Sequence, residues 1–483
     1  MHRSSFLTLA AILGSAVLEP ALAQAADPPA TPGATPKDTP AASDASAPAQ
    51  PPPQNDAPDA PDLGTTTLPP LPAPPHTLRQ WNEVVALLDS RSVELILSKQ
   101  RVIRAEGQAR QALAGALPTI SGRGSVGYSF SSQGAVGNDP GSGAITRAGS
   151  SISAQLSLSQ PILAPRAWYG IHTADLGVES AKLSLEDQRR AALLSIAGAV
   201  VAVISAERVA EINRVGHKTA LSRLALTRRR LLLGSATRLD VLRLEQDAQA
   251  AKASAISGDE SLLRARESLG LTFNSDEAYG VAQGFSLNEM EGTLKSACAK
   301  GPLDQRPDVR AAQIDLELAR RGIMDNKLAF APTAVLSSSA GINNTPIASP
   351  STFSWSIQAV LTLPLWDGGA RYGAMRIAQA AEEEQKQKLS QVLQGAKVEF
   401  TQAKRAVLVA EEAQKVAEEQ RNLAREAEAL SQKAFESGAG TSFDLVDAAQ
   451  KVRAAEIDLA RKELDLVRAR MSALLSGSAR CAQ

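Results

Sequence analysis

The sequence predicts a mainly α-helical chain built as two structural repeats, each carrying a pair of β-strands that crosses a membrane as part of a barrel. Three observations predict it. A glycine turn recurs: "LLLGSATRLDVLRLEQDAQ" from Leu231 and "AFESGAGTSFDLVDAAQKV" from Ala434 place Gly234 and Gly438 204 residues apart, the same separation as Asp240 and Asp444. Proline, the commonest helix breaker, is absent from Arg166 to Gly301 and again from Leu365 to the end. Ahead of each proline-free stretch, apolar and polar residues alternate with period two, the mark of a strand with one apolar face.

The elements follow in order. Residues 1–23 join a short charged start (His2, Arg3), an apolar run "FLTLAAILGSAVL" and a small-residue site ending at Ala23, which reads as a secretory signal peptide. No cysteine lies near that site, so no lipid anchor is expected. Residues 24–76 hold sixteen of the 27 prolines, from Pro28 to Pro75, among Ala, Asp, Ser and Thr. Such a segment buries too little apolar surface to offset its ordering entropy and reads as a disordered, extended linker. The first repeat is expected over 77–275, an inter-repeat segment over 276–306, the second repeat over 307–476 and a tail over 477–483.

Each repeat reads helix, strand, loop, strand, very long helix, glycine turn, helix. Strands are expected at "TISGRGSVGYSF" (119–130), "SISAQLSLSQPI" (151–162), "TAVLSSSAGI" (333–342) and "TFSWSIQAVLTLPL" (352–365). Ten or so residues is the length of a tilted strand crossing a bilayer, apolar outward and polar toward a lumen. On that reading Trp355, Ile357 and Leu361 face hydrocarbon, and Ser354, Ser356 and Gln358 face inward. Tyr128, Trp168, Tyr169, Trp355, Trp366 and Tyr372 lie on or beside these strands, as interfacial aromatic girdles do. Four strands cannot close a barrel, because the smallest single-chain barrels use about eight. Open edges cannot persist in lipid. Closure therefore calls for several copies, and three give twelve strands.

From near Leu163 to Gly234, and from Trp366 to Gly438, each long helix spans about 70 residues, or roughly 100 Å. Return helices are expected at about 238–271 and 442–475. Shorter helices at 83–113 and 308–330 supply the remaining lengths. Leu389, Leu393, Ala396, Phe400, Ala403, Val407 and Ala410 alternate steps of four and three, a heptad seam whose alanines imply close helix approach.

Charge is balanced, with 51 basic and 51 acidic residues, and gives no argument for nucleic acid. Beyond the signal region no apolar stretch approaches the roughly 20 residues of a membrane helix. His2, His76, His172 and His217 show no ligand spacing, and no metal or cofactor site is expected. No phosphate loop or nucleophile elbow occurs, so no enzyme is expected. Acidic runs at Glu382–Glu384 and Glu411–Glu412 sit beside Lys and Arg as solvated faces. Arg228, Arg229 and Arg230, one turn before the first glycine, are either another solvated face or a partner contact.

The pieces "LPTISGRGSVGYSF", "SQPILAPRAWYG", "QRPDVRAAQ", "LTLPLWDGGARYG" and the two glycine turns occur in an order that resembles the TolC-like outer-membrane efflux proteins, from about Thr77 to Leu475. The resemblance implies a homotrimer in outer-membrane lipid of a Gram-negative bacterium, with a 12-stranded barrel continuing into an α-helical periplasmic tunnel. It implies an exit duct for an inner-membrane transporter or a type I secretion machine, joined through a periplasmic adaptor. A periplasmic adaptor or a coiled-coil structural protein is the competing reading; the twofold repeat with two strands per half argues against it.

The resemblance also assigns residues. Asp444 and Asp447 would project into the periplasmic entrance, and Asp240 would help hold it shut. Gly234, Ser235, Ala236 and Thr237, with Gly438, Ala439, Gly440 and Thr441, would be tips that contact the adaptor. Cys298 and Cys481 would both fall in the belt around the tunnel, where they could pair. Where a relative has a tip tyrosine and arginine, this chain has Phe435 and Gly440, so its lock should be built differently, with Arg238 as one candidate.

Overall fold

The computed structural model describes residues 68–133, 145–344 and 352–481. The expected signal peptide and most of the proline-rich segment lie outside these residues. The helices are α1 (Trp81–Arg91), α2 (Val93–Ala114), α3 (Pro165–Leu232), α4 (Arg238–Thr272), α5 (Leu287–Ala297), α6 (Pro307–Leu328), α7 (Ala370–Ser437) and α8 (Ser442–Ser476). The strands are β1 (His76–Leu78), β2 (Thr119–Gln133), β3 (Ile145–Leu163), β4 (Tyr279–Val281), β5 (Cys298–Lys300), β6 (Thr333–Asn344), β7 (Thr352–Thr362) and β8 (Ser478–Cys481).

The long helices α3 and α7 have 68 residues each and the return helices α4 and α8 have 35 each. At 1.5 Å per residue these are about 100 Å and about 50 Å. Helices α2 and α4 pack along α3, and α6 and α8 along α7. Each long helix thus has two shorter partners end to end. The expected helix over 83–113 is two helices instead, because Ser92 leaves the helical region (ψ 119°) between α1 and α2.

The seam on α7 turns inward as its spacing requires. Ala396, Ala403 and Ala417, at multiples of seven, are buried. A second heptad stripe on α7, Val409, Val416, Leu423 and Leu430, is 52–66% exposed and faces away from the chain's own helices.

Helix α3 corrects one expectation. It contains an 18-residue window of mean hydropathy 1.8, apolar enough to cross a membrane. The reason for the run, around residues 191–206, is internal: Ala192, Leu193, Ile196, Ala197, Val200, Val201 and Val203 are core residues. They share a core with Trp81 and Leu88 of α1, Leu262 and Leu269 of α4 and Met471 and Leu475 of α8, so three helices wrap this part of α3.

Strands β2, β3, β6 and β7 form one antiparallel sheet in that order. Register aligns Ile120, Leu158, Ser338 and Ile357 across it, and the next row aligns Ser121, Ser157, Ser339 and Ser356. Because side chains alternate, the first row shares a face with exposed Val126, Ile152, Leu156, Phe353, Trp355 and Leu361. The opposite face carries a serine ladder, with hydroxyl pairs Ser121–Ser157 at 2.8 Å, Ser125–Ser153 at 2.7 Å and Ser339–Ser356 at 2.9 Å. Ser338, a polar residue on the apolar face, accepts from Trp355 Nε1 at 3.2 Å. The first hairpin is longer than expected, since β2 and β3 continue through Ser-, Gly- and Thr-rich sequence that carries no apolar alternation. Edge strands β2 and β7 have no further partner among the described residues.

Two small two-stranded sheets flank the repeats, in the region that the resemblance assigns to a belt. Strand β1 pairs parallel with β4, and β5 pairs antiparallel with β8, so the expected tail is in part a strand. Arg306, 2% exposed, ties the belt to the second repeat: it donates to Asp308, to Glu399 of α7 at 2.9 Å and to the Ser476 carbonyl of α8 at 3.0 Å. Burial opposes its charge, but the two carboxylates outweigh burial and hold its pKa above the ordinary value.

Candidate functional site

The two glycine turns end α3 and α7 in the same way. Gly234 and Gly438 adopt left-handed φ values of 73° and 82°, where a side chain would be strained. Ser235 N then donates to Arg230 O at 2.9 Å, and Ala439 N to Ala434 O at 2.9 Å. A Cβ at Gly440 would sit 2.9 Å from Ala434 Cβ, so no arginine fits there without displacing the turn.

Each turn feeds a capping box. Thr237 Oγ1 donates to Asp240 Oδ2 at 2.6 Å and accepts from Asp240 N at 3.2 Å; Thr441 and Asp444 repeat both contacts at the same distances. The box satisfies helix N-terminal amides and sets a carboxylate at the positive end of the helix. Hydrogen bonds from Thr441 hold the Asp444 carboxyl below its ordinary pKa. For Asp240 the largest cause is the Ser442 hydroxyl, followed by Thr237, and its pKa is likewise lowered.

Ser442 is where the two hairpins meet. It is fully buried, donates to Asp240 Oδ1 at 2.6 Å and accepts from Arg243 Nη1 at 3.3 Å. The N-termini of α4 and α8 are thereby joined through one hydroxyl. A second link lies one turn away: Arg230 donates to the carbonyls of Phe435 at 3.2 Å and Glu436 at 3.3 Å, with its guanidinium 5.4 Å from the Phe435 ring. Arg223 with Glu428, and Arg208 with Glu463 at 2.8 Å, continue the ladder between the two hairpins.

The carboxylates named from sequence are only partly brought together. Asp240 and Asp444 are equivalent caps of neighbouring helices. Asp447, three residues on from Asp444, pairs with Lys451 of its own helix at 2.7 Å and keeps a half-exposed side chain. Arg238, the candidate lock residue, is exposed and makes no hydrogen bond or ion pair among the described residues. Within the chain the contacts between the two hairpins are made by Ser442, Arg243 and Arg230; of these, sequence reasoning singled out only Arg230, as a solvated face or partner contact. Ser442 carried a weak signal, a small polar residue where the first repeat has Arg238.

A cavity of about 230 Å³ opens beside this junction, lined by Arg243, Asp247 and Gln246 of α4 and Phe443, Asp447 and Gln450 of α8. Asp247 is 2% exposed; its Oδ1 accepts from Gln450 at 3.2 Å and lies 3.5 Å from Arg453. Three large apolar residues beside the tips are exposed to solvent, Leu232 at 83%, Leu233 at 76% and Phe443 at 62%. Among the described residues no His, Cys, Asp and Glu cluster could hold a metal ion. In the belt, Cys298 is disulfide-bonded, and register sets Cys481 opposite it.

The family model of outer membrane efflux proteins matches residues 85–274 and 302–473. No curated protein matches the chain in a sequence comparison. Among solved structures, the outer membrane channel CmeC of Campylobacter jejuni superposes with a TM-score of 0.72 at 15% identity, covering 83% of this chain and 86% of its own. VceC of Vibrio cholerae gives 0.67 at 17% identity, covering 82% and 96%. The open state of the MtrE channel of Neisseria gonorrhoeae gives 0.67 at 18% identity, covering 82% and 88%. At these identities the likeness is one of fold.

Proposed function

The chain belongs to the outer membrane efflux protein family, and from that premise we propose how its periplasmic entrance is held and what it admits. Members are channels rather than enzymes, and this chain is an outer-membrane exit duct, with a trimeric 12-stranded barrel that continues into an α-helical periplasmic tunnel. One observation carries this reading: a four-stranded sheet, apolar on one face and serine-lined on the other, with both edges unpaired among the described residues. The exposed stripe of Val409, Val416, Leu423 and Leu430 supplies a matching lateral surface along the tunnel for the next chain.

At the entrance we assign three roles. Asp444 and Asp447 of three chains set six carboxylates around the opening, a field that attracts cations and disfavours anions. Lys451 offsets part of that field at Asp447, and the lowered pKa of Asp444 carries its charge to more acid pH than an ordinary aspartate keeps it. Asp240, Ser442 and Arg243 act as the latch between hairpins, with Arg230 on Phe435 as its second point. The tips at Gly234, Ser235, Ala236 and Thr237, and at Gly438, Ala439, Gly440 and Thr441, contact the periplasmic adaptor that joins the duct to an inner-membrane transporter; exposed Leu232, Leu233 and Phe443 beside them support this. In the belt, Cys481 is assigned as the disulfide partner of Cys298.

Planar-bilayer recording separates the entrance roles. Asp444→Ala with Asp447→Ala should lower cation selectivity and weaken divalent block while the trimer persists. Ser442→Ala, which removes hydrogen bonds worth about 1.5–3 kcal/mol at a charged group, should raise resting conductance without changing selectivity. Unchanged selectivity in the first variant would reduce Asp444 to a helix cap and Asp447 to the ion-pair partner of Lys451.

A further inference from the structure

Residues 68–75 read "LPPLPAPP", in which every position is a proline or directly precedes one. Proline holds φ near −65°, and the residue before a proline is pushed to extended backbone, so the stretch strongly favours a polyproline II helix of three residues per turn. Its burial has that period. Leu68, Leu71 and Pro74 are half-buried, while Pro69, Pro70, Pro72, Ala73 and Pro75 are exposed. Leu71 packs against the main core. Gly280 permits the approach of Pro74, because a Cβ there would collide with the proline ring.

The carbonyls on this stretch are read three residues apart. Arg214 donates to Pro69 O at 2.9 Å and Arg266 donates to Pro72 O at 3.2 Å. Both arginines are aimed by carboxylates: Arg214 is held by Asp259 through bonds of 2.8 and 2.7 Å, and Arg266 lies 3.6 Å from Glu207. The spacing fits the ligand. Asp259 and Arg266 are seven helical residues apart, about 10.5 Å along α4. Pro69 and Pro72 are three residues apart, about 9.3 Å along a polyproline helix.

We infer that the α3–α4 face from Arg214 to Gly280 is a groove for a polyproline II peptide, with Arg214 and Arg266 as carbonyl readers, and that residues 68–75 are its resident ligand. The expected linker therefore does not end as a free spacer at His76; its last eight residues before His76 are a docked strap. The strap also has a direction. From Pro74 beside Gly280 to Pro69 beside Arg214, it runs from the belt toward the Gly234 turn. This inference stands on the α3–α4 contacts alone and survives if the channel reading fails.

The test uses the full-length protein in detergent. Leu68→Asp with Leu71→Asp ejects the strap by placing charges on its buried face, and the probe is a fluorescein-labelled synthetic peptide of residues 66–76. The ejected variant should bind the peptide saturably, whereas the unaltered protein, its groove filled, should not. Adding Arg266→Ala should weaken binding about tenfold, the loss of one hydrogen bond from a charged donor. Absence of binding to a correctly assembled ejected variant, or equal binding to the unaltered protein, would overturn the inference. If the ejected variant fails to assemble, single cysteines at 68 to 75 in the unaltered background decide the matter. Maleimide should label positions 70 and 73 quickly and 68, 71 and 74 slowly; uniform fast labelling overturns the docked strap.

Discussion

At the residue scale, the polar groups between the two hairpins respond to pH differently. Asp240 and Asp444 have lowered pKa values, so their contributions are present above the ordinary value of 3.8 and are lost only as pH falls through their lower folded values. The capping boxes and the Ser442–Asp240 contact thus stay intact at mild acidity. His217 behaves otherwise. It is 4% exposed on α3, and burial first, then Lys252 of α4 and Arg453 of α8, lower its pKa from 6.5. Of the other buried polar groups on these helices, Asp247 of α4 is engaged by Arg453 and Asn213 of α3 carries no charge. A folded pKa below the unfolded one means that the unfolded chain takes up the proton more readily. The stability from neutral His217 is complete above 6.5 and declines as pH falls below it. Thermal unfolding followed from about pH 8 to about pH 5 should show a steeper loss in the unaltered protein than in His217→Gln. Parallel curves would remove His217 from this role. Cys298 has a simpler check: alkylation of unreduced, denatured protein should add no mass, and modification of both cysteines would refute the Cys298–Cys481 bond.

At the element scale, the strands make the sharpest demand. Ile357 lies on the apolar face and Ser356 on the serine face of the same strand. Ile357→Arg should destabilise the assembled barrel by about 2–4 kcal/mol near the bilayer midplane, and Ser356→Arg by much less. Equal tolerance of the two arginines in folding titrations would mean that the faces are exchanged or that the sheet meets no lipid. Most of these elements were legible in the sequence, for local reasons. The recurring glycine turns at Gly234 and Gly438, each followed six residues on by an aspartate, announced the starts of α4 and α8, and the alanine heptads announced the inward face of α7. What escaped was either long-range or pattern-free. The contact of Ser442 with Asp240 joins residues 202 apart, and no local spacing encodes it. The outer parts of β2 and β3 lack apolar alternation, and β5 and β8 are too short to show any period. The run in α3 was underrated because a helix wrapped by three neighbours is apolar on most sides. The period-three burial of Leu68, Leu71 and Pro74 was readable in principle, but composition alone assigned those residues to a linker.

At the scale of the whole molecule, the described chain is an incomplete object by physical criteria. Its sheet has two open edges and an exposed apolar face, and α7 carries a long exposed apolar stripe. Unpaired strand edges are not tolerated in hydrocarbon, and four strands are too few to close on themselves. Each deficiency is met by the same operation, a threefold arrangement in which β7 of one chain pairs with β2 of the next and the stripe on α7 packs against the neighbouring helices. On the proposed assignment, the caps and hairpin contacts of each chain become an entrance ring only when three chains meet. The measurement that bears most directly on this is the native mass of the protein extracted from isolated outer membranes in mild detergent. The account predicts a complex of three chains, found in the outer-membrane fraction, that conducts ions when reconstituted in a planar bilayer. A single chain recovered from the periplasmic fraction, with no conductance, would contradict it.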